Sequence, residues 1–336
     1  MSSNFWQKLK QQSVKNNKPI LCSAPMADVT DLAFREMLAK YGKPSVIFTE
    51  FVSADGLSLA PKSGQKKLLE NFLYTTKERP IVAQIFGANS NNIMKAVRIV
   101  KKLGFDGVDV NMGCPENKIV KQGAGAGLIR TPELAKEIIL AAKKEANRGT
   151  KKIPVSVKTR IGFNKNELQT WLPKLLEAEP AVITIHCRTR KDMSLVPADW
   201  TKVKQAVEIR NESNKSTLIF GNGDIQNLDQ AQRNFLETGC NGVMVGRGLF
   251  GNPFFFNSKK SNLTVSEKLK LLVEHTKKFT KLLPTHNFSI MKKHYKAYCT
   301  GFDGAKELRV KLMAAEKVQD VERIIKAFIK LDHKPN

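Results

Sequence analysis

Apolar, β-branched-rich residues gather into eight short runs at fairly regular intervals: 20–26, 45–51, 81–86, 107–111, 153–158, 181–186, 217–222 and 242–246. Most are continuously apolar rather than alternating, the pattern of strands covered on both faces. Amphipathic stretches lie between them. Residues 30–41 open on Thr30 and Asp31 and stop before Gly42. Residues 90–103 stop at Gly104, and 227–238 stop at Gly239. Residues 132–144 follow Thr131 as a cap, with Pro132 in the first turn. Capping oxygens, an early proline and a terminal glycine mark helix boundaries. Eight strands alternating with helices over roughly 250 residues predict a (β/α)8 TIM barrel. An open, doubly wound sheet is the alternative, because periodicity does not report closure.

After Pro253 the strand pattern stops. Residues 266–283, 289–298, 305–312 and 318–331 carry apolar positions at i, i+3 and i+4, punctuated by Pro284, Gly301 and Gly304. The organisation expected is a polar N-terminal segment (1–19), a barrel catalytic domain (20–257) and a small all-helical domain (258–336).

Composition narrows the classes of function. The 336 residues are 41% hydrophobic, which supports a full core and argues against disorder. No apolar run approaches the roughly 20 residues needed to span a bilayer. Residues 1–18 lack the apolar core of a signal peptide, and they lack the arginines of a mitochondrial leader. A cytoplasmic monomer with no membrane partner is expected. The five cysteines are scattered, with no Cys-x-x-Cys spacing, which fits reduced thiols and predicts no metal site. The net charge is +25, and residues 259–336 hold 18 Lys/Arg against 8 Asp/Glu. A field concentrated in one segment favours a surface for a phosphate polymer over a general lysine bias.

The chemistry is sought where a barrel puts it, at the C-terminal ends of strands. Those ends carry Pro25-Met26-Ala27, Glu50, Gln84, Asn111 with Cys114, Lys158 with Arg160, His186 with Arg188, Asn222-Gly223-Asp224 and Gly246-Arg247. One such polar group is unremarkable. Polar or glycine-rich groups at every strand end should converge on a polar ligand, since buried polar groups without partners are costly. Gly223 and Gly246, with Arg247, follow the seventh and eighth strands, where barrels place a phosphate. Lys158 is a surface lysine or the partner of an anion; beside a flavin ring it would stabilise the reduced, anionic form. His186 is a satisfied core histidine or a neighbour of that ligand, and Arg188 and Arg190 favour a phosphate-rich setting. Cys114 taken alone is a buried structural thiol as readily as a reactive one.

Two features carry no site. Gly246-Arg247-Gly248-Leu249-Phe250-Gly251 has dinucleotide-binding spacing, but it follows the last strand of the series, with no further βαβ unit to supply a ribose-binding acid. Asp199-Trp200 is expected to cap and pack a helix.

Taken together, Ala24-Pro25-Met26-Ala27, Gln84-Ile85-Phe86-Gly87, Asn111-Met112-Gly113-Cys114-Pro115, Val157-Lys158-Thr159-Arg160, His186-Cys187-Arg188-Thr189-Arg190, Asn222-Gly223-Asp224 and Gly246-Arg247 resemble the tRNA-dihydrouridine synthases, bacterial type. Met291-Lys292-Lys293-His294-Tyr295 and Gly304-Ala305 with Leu308-Arg309 resemble that family's C-terminal domain, so the likeness spans about residues 20–315. The resemblance implies an FMN barrel followed by a helical tRNA-binding domain. It implies reduction of the C5=C6 bond of D-loop uridines, with hydride to C6, a proton from Cys114 to C5, and NADPH (or NADH) as reductant. By the same likeness Pro25, Met26, Ala27, Gln84, Lys158, His186, Asn222, Gly223, Asp224, Gly246 and Arg247 hold the cofactor. Asn111, Arg160, Arg188 and Arg190 face the substrate. Two departures are Cys187, where glycine is common, and residues 191–196, which lack the usual aromatic–glycine pair. A flavin barrel acting on a free pyrimidine and a non-catalytic RNA-binding barrel are the alternatives.

Overall fold

The computed structural model describes residues 4–260 and 263–332. Positions 1–3 of the expected N-terminal segment, and 261–262 and 333–336 of the helical domain, lie outside the described residues. Eight parallel strands, β1 (Ile20–Ser23), β2 (Ile47–Ser53), β3 (Ile81–Phe86), β4 (Gly107–Met112), β5 (Val155–Arg160), β6 (Val182–His186), β7 (Leu218–Asn222) and β8 (Gly242–Val245), form one sheet in the order β1-β8-β7-β6-β5-β4-β3-β2. The sheet closes on itself. β1 meets β2 through a single parallel bridge, Cys22 to Val46, where Ser23 N–H donates to the Val46 carbonyl at 3.2 Å and Val46 N–H to the Leu21 carbonyl at 3.3 Å. The barrel expectation holds and the open sheet is excluded.

Strand ends follow local chemistry. β1 stops at Ser23, earlier than the apolar run suggests, because Pro25 has no N–H to continue a ladder. β5 starts only after Pro154 and runs on to Arg160. Helices Leu32–Tyr41, Ser90–Lys102, Pro132–Ala146 and Leu228–Thr238 match the amphipathic stretches, with Asp31, Asn89 and Asn227 accepting from the first-turn N–H groups of the first, second and fourth. The pattern of apolar positions missed Ala54–Leu59, Lys62–Glu70, Leu168–Glu177 and Thr201–Glu212.

Residues 5–16 form a helix within what the sequence shows as a polar segment. Its Trp6 is 1% exposed and packs edge-on to Phe220, ring centroids 5.5 Å apart, and 6.5 Å from Phe48. Together with Ile20, Val82, Val182 and Leu218 it fills the barrel at the end where the strands begin. That leaves the opposite end open for the site.

The basic segment folds as four helices, Val265–Leu282, Met291–Tyr298, Ala305–Met313 and Val318–Asp332. A capping box between Thr264 and Glu267 starts the first. Leu269, Leu272, Phe279, Met291, Tyr295, Leu308 and Val321 make a core that also takes in Leu32, Ala33 and Met37 from the barrel helix Leu32–Tyr41. Lys278–Glu36 at 2.7 Å, Lys40–Glu274 at 2.8 Å and Lys293–Asp28 at 3.0 Å frame that junction. The helical unit is thus docked on the barrel through shared apolar packing.

Candidate active site

Inward-facing residues of a parallel strand recur every second position. On β4 these are Asp109 and Asn111; on β5 they are Ser156, Lys158 and Arg160. The β4–β5 register sets Asp109 beside Ser156 and Asn111 beside Lys158. Above them opens a cavity of about 300 Å³. Its wall includes Pro25, Met26, Asn111, Cys114, Lys158, Arg160, His186, Arg188, Asn222, Gly223, Asp224, Gly246 and Arg247, thirteen of the sixteen residues singled out from the sequence.

The other three stand elsewhere. Ala27 is exposed on the loop after β1. Gln84 is fully buried one layer below, its amide spanning Asp109 and Asn111. Arg190 stands 5.3 Å over the Phe163 ring, which Arg130 also approaches at 4.5 Å, and donates to Asn117.

Asn111 holds the loop that follows β4. Its Oδ1 accepts from the N–H groups of Gly113 at 3.0 Å and Cys114 at 2.9 Å. Gly113 has no room for a side chain, since a Cβ would lie 3.1 Å from the Thr159 backbone. Cys114 is 7% exposed, and burial pushes its thiol above the ordinary value of 9.0, so it carries a proton at neutral pH. Arg160 reaches under the same loop. Its Nε donates to the Gly113 carbonyl at 2.8 Å and its Nη1 to the carbonyls of Thr189 and Met193 at 2.8 and 3.0 Å. It thereby ties the cysteine loop to residues 189–193.

Lys158 is half-buried and has no hydrogen-bond or ion-pair partner among the described residues. Burial, reinforced by Arg160 and opposed by Asp109, lowers its ammonium to about 8. A partnerless cation in a cavity wall suits an anionic group in the cavity.

His186 is neutral, because burial and the surrounding cations Lys158, Arg160 and Arg188 hold its pKa well below the usual value. Arg188 Nη1 lies 3.3 Å from His186 Nε2. A guanidinium can only donate, so Nε2 accepts and the ring proton sits on Nδ1. Arg188 itself is 3% exposed; its Nε donates to the Val196 carbonyl at 2.6 Å and its Nη2 to Asp224. It lines the cavity but its donors are largely committed to the wall.

Asp224 is the hub of the β7 and β8 ends. Burial alone would raise its carboxyl, yet the Ala198 N–H at 2.9 Å, Arg188 and Arg247 hold it below the ordinary range. The Gly223 and Asp224 N–H groups have no acceptor among the described residues. Gly223 adopts φ +143°, and a Cβ there would lie 2.7 Å from Ala198. Free N–H groups next to a guanidinium are chemistry that suits an anion. The Asn222 amide is anchored by Nδ2 to the Met244 carbonyl at 2.8 Å, leaving Oδ1 to the cavity. Trp200 packs beneath, its Nε1 donating to the Gly223 carbonyl at 2.9 Å; it, not Asp199, holds the N-cap position of the helix Thr201–Glu212, which has no side-chain cap, and Asp199 accepts from the Thr201 N–H one residue outside it.

Phe51, Met193, Ser194 and Ile225 also line the cavity, and nothing in the sequence pattern singled them out. Asp109 escaped as well, although a lone acid within an apolar strand, two positions before Asn111, was the available signal. Among the described residues no group of three or more His, Cys, Asp or Glu is arranged to hold a metal. No described helix is long and apolar enough to cross a membrane.

A closed parallel barrel with a proton-bearing cysteine, a lysine without a partner among the described residues and bare N–H groups beside Arg247, all around one strand-end cavity, has the layout of a barrel enzyme. The chain belongs to the dihydrouridine synthase family, whose model matches residues 22–332. A probable tRNA-dihydrouridine synthase of Staphylococcus aureus (strain MRSA252) is 35% identical over 98% of this chain and 96% of that protein. A probable tRNA-dihydrouridine synthase 2 of Bacillus subtilis (strain 168) is 35% identical over 98% of this chain and 97% of its own length. The fold recurs in a 2-naphthoyl-CoA reductase (TM-score 0.54, 12% identity, 71% of this chain and 49% of that one). It recurs also in a histamine dehydrogenase from Rhizobium sp. 4-9 (TM-score 0.52, 13% identity, 70% of this chain and 45% of that one). Membership of the family implies a flavin cofactor.

Proposed function

We propose that this chain is a tRNA-dihydrouridine synthase that reduces the C5=C6 bond of D-loop uridines, with FMN as its flavin and NADPH as reductant. The convergence of Lys158, the Gly223–Arg247 cradle and Cys114 on one cavity carries the reading. FMN needs a cation near its ring and N–H groups and a guanidinium at its phosphate, and the residues present fit both needs. Lys158 and His186 would flank the ring, with Asn222, Met26, Pro25 and Gly246 closing around it. Gly223 and Arg247 would take the phosphate, braced by Asp224. When bound and reduced at the expense of NADPH, FMN would be the source of the hydride taken up at C6 of the uracil.

The remaining chemistry belongs to the chain. Cys114 delivers the proton from Sγ to C5. A thiol held protonated at neutral pH suits a proton donor. Asn111 and Arg160 keep the cysteine loop against the cavity, and the free edge of Arg160 is available to the uracil carbonyls. The target nucleotide must leave its stack to enter. Arg190, stacked on Phe163, would face the RNA backbone, with Arg188 in the cavity wall. The basic helical unit, docked on the first barrel helix, carries the tRNA. Its charge favours tRNA over a free pyrimidine as substrate.

The test is direct. The purified chain is given FMN, NADPH and an unmodified tRNA transcript, and dihydrouridine is mapped along the product. Dihydrouridine in the D-loop is the expected result. A protein that binds no flavin, or that reduces free uridine as readily as tRNA, overturns the proposal.

A further inference from the structure

Asp109 lies beneath the cavity, 1% exposed, and has no part in the reaction proposed above. Its Oδ2 accepts from Gln84 Nε2 at 2.7 Å, and its Oδ1 from Ser156 Oγ at 2.6 Å. Burial raises the carboxyl to about 6, which leaves it mostly ionised at neutral pH and able only to accept. That fixes every orientation above it. Gln84 must turn its NH₂ toward Asp109, so its Oε1 is the atom left for Asn111 Nδ2, 3.0 Å away. Asn111, having spent its NH₂ on Gln84, presents Oδ1 to the N–H groups of Gly113 and Cys114. Were Gln84 reversed, Asn111 would have to reverse too, and its NH₂ would face two donors.

We propose that Asp109 is a positioning residue: by accepting from Gln84 it sets the direction of an amide relay that ends on the Cys114 loop. Gln84 is the coupling amide of that relay. The kinetic consequence rests on Cys114 being the proton donor proposed above; the structural consequence does not.

The FMN-loaded full chain is compared with Asp109→Asn, Asp109→Leu and Gln84→Met. In Asp109→Asn the new amide can keep its oxygen on Gln84 and turn its NH₂ to Ser156, whose hydroxyl can accept as well as donate. Two quantities are read. One is the alkylation rate of Cys114 by iodoacetamide, located by peptide mapping; the other four cysteines are at most 2% exposed. The second is the rate at which unmodified tRNA oxidises the dithionite-reduced flavin. With a relay bond removed, Gln84→Met and Asp109→Leu should label Cys114 about five- to tenfold faster and oxidise about five- to tenfold more slowly, with flavin still bound. Asp109→Asn should stay within about twofold of the parent in both.

Labelling of Gln84→Met at the parent rate overturns the relay. So does Asp109→Asn behaving like Asp109→Leu, which would make the charge beneath Lys158, not bond direction, the quantity that matters. Failure of the parent protein to be oxidised by tRNA sinks the functional reading alone, and the labelling rates still judge the relay.

Discussion

Lys158 and Asn111 are register partners across β4 and β5, so an ammonium without an ion-pair partner among the described residues stands beside the amide that holds the cysteine loop. The cofactor binding and proton delivery proposed above therefore meet at one pair of residues. Removing the ammonium should separate them. Lys158→Met is expected to lose most of its flavin, or to retain it with slowed oxidation by tRNA, while the Cys114 loop stays in place. Because the ammonium is the charged form below about 8, flavin affinity should weaken as pH rises through that value. Fluorescence titrations of flavin on either side of pH 8, in the parent and the variant, check both statements.

Cys114→Ala should keep bound flavin and lose turnover on tRNA by about 10²–10⁴-fold, the usual worth of a placed proton donor. Its thiol is raised above 9.0, so the donor stays protonated through neutral and mildly alkaline pH. The oxidation rate of reduced enzyme by tRNA should be flat there and fall only at higher pH. A full rate in Cys114→Ala would remove the cysteine from the chemistry.

Asp224→Ala releases Arg188 and Arg247 together and unties the Ala198 N–H. Charge-assisted bonds of this kind make a loss of flavin affinity of about tenfold to a hundredfold the expected outcome. Equilibrium binding of FMN to the apoprotein measures it.

Glu50 lies in the middle of β2 and is 8% exposed, its Oε1 accepting from the Asp28 N–H. Burial, with Asp31 nearby, raises it from 4.5 to about 7. Between those values the folded protein binds more protons than the unfolded chain. Its contribution to stability is therefore full below 4.5 and is lost as pH rises through about 7. Glu50→Gln keeps the acceptor and removes the titration. Its melting temperature should change less than the parent's between mildly acidic and neutral pH, and should exceed the parent's above pH 7. Thermal unfolding across that range decides it.

The tRNA surface is best probed by charge, not by truncation. Deleting residues 259–336 would bare Leu32, Ala33 and Met37 on the barrel and confuse impaired binding with impaired solubility. Lys296 and Lys306 are exposed and outside the ion pairs of the described residues. Lys296→Glu or Lys306→Glu should weaken tRNA binding and lower the slope of log K against log salt by about 1 for each lysine–phosphate pair removed. Unchanged slopes would place the RNA elsewhere.

Much of this was legible in the chain. Continuous apolar runs located all eight strands, because burial on both faces leaves no other pattern, and their polar ends located the cavity. What the pattern could not report was pairing. Arg188 lines the cavity as its sequence position suggests, but most of its donors go to Val196 and Asp224, and Gln84 lies one layer below, bonded to Asp109 and Asn111. Residue type fixes how many bonds a side chain can make, not which neighbour takes them. The helix Phe5–Asn16 was hidden because its buried surface is essentially one residue, Trp6, in a lysine-rich stretch. Asp109 was hidden because a buried acid looks like an exception within an apolar strand until its donors are seen.

The single bridge between Cys22 and Val46 has a mechanical consequence. Every other neighbouring pair in the ring shares a ladder of at least three register partners, so this is the seam where the cylinder parts most cheaply. The helix Leu32–Tyr41 spans the connection between the two strands at that seam, and the C-terminal bundle is fastened across it by apolar packing and three ion pairs. The C-terminal unit thus doubles as a clasp. Amide exchange within the barrel wall should be fastest at Leu21, Ser23 and Val46, whose N–H groups bond across the seam, and an RNA that stiffens the bundle should slow it there, some distance from any base it touches.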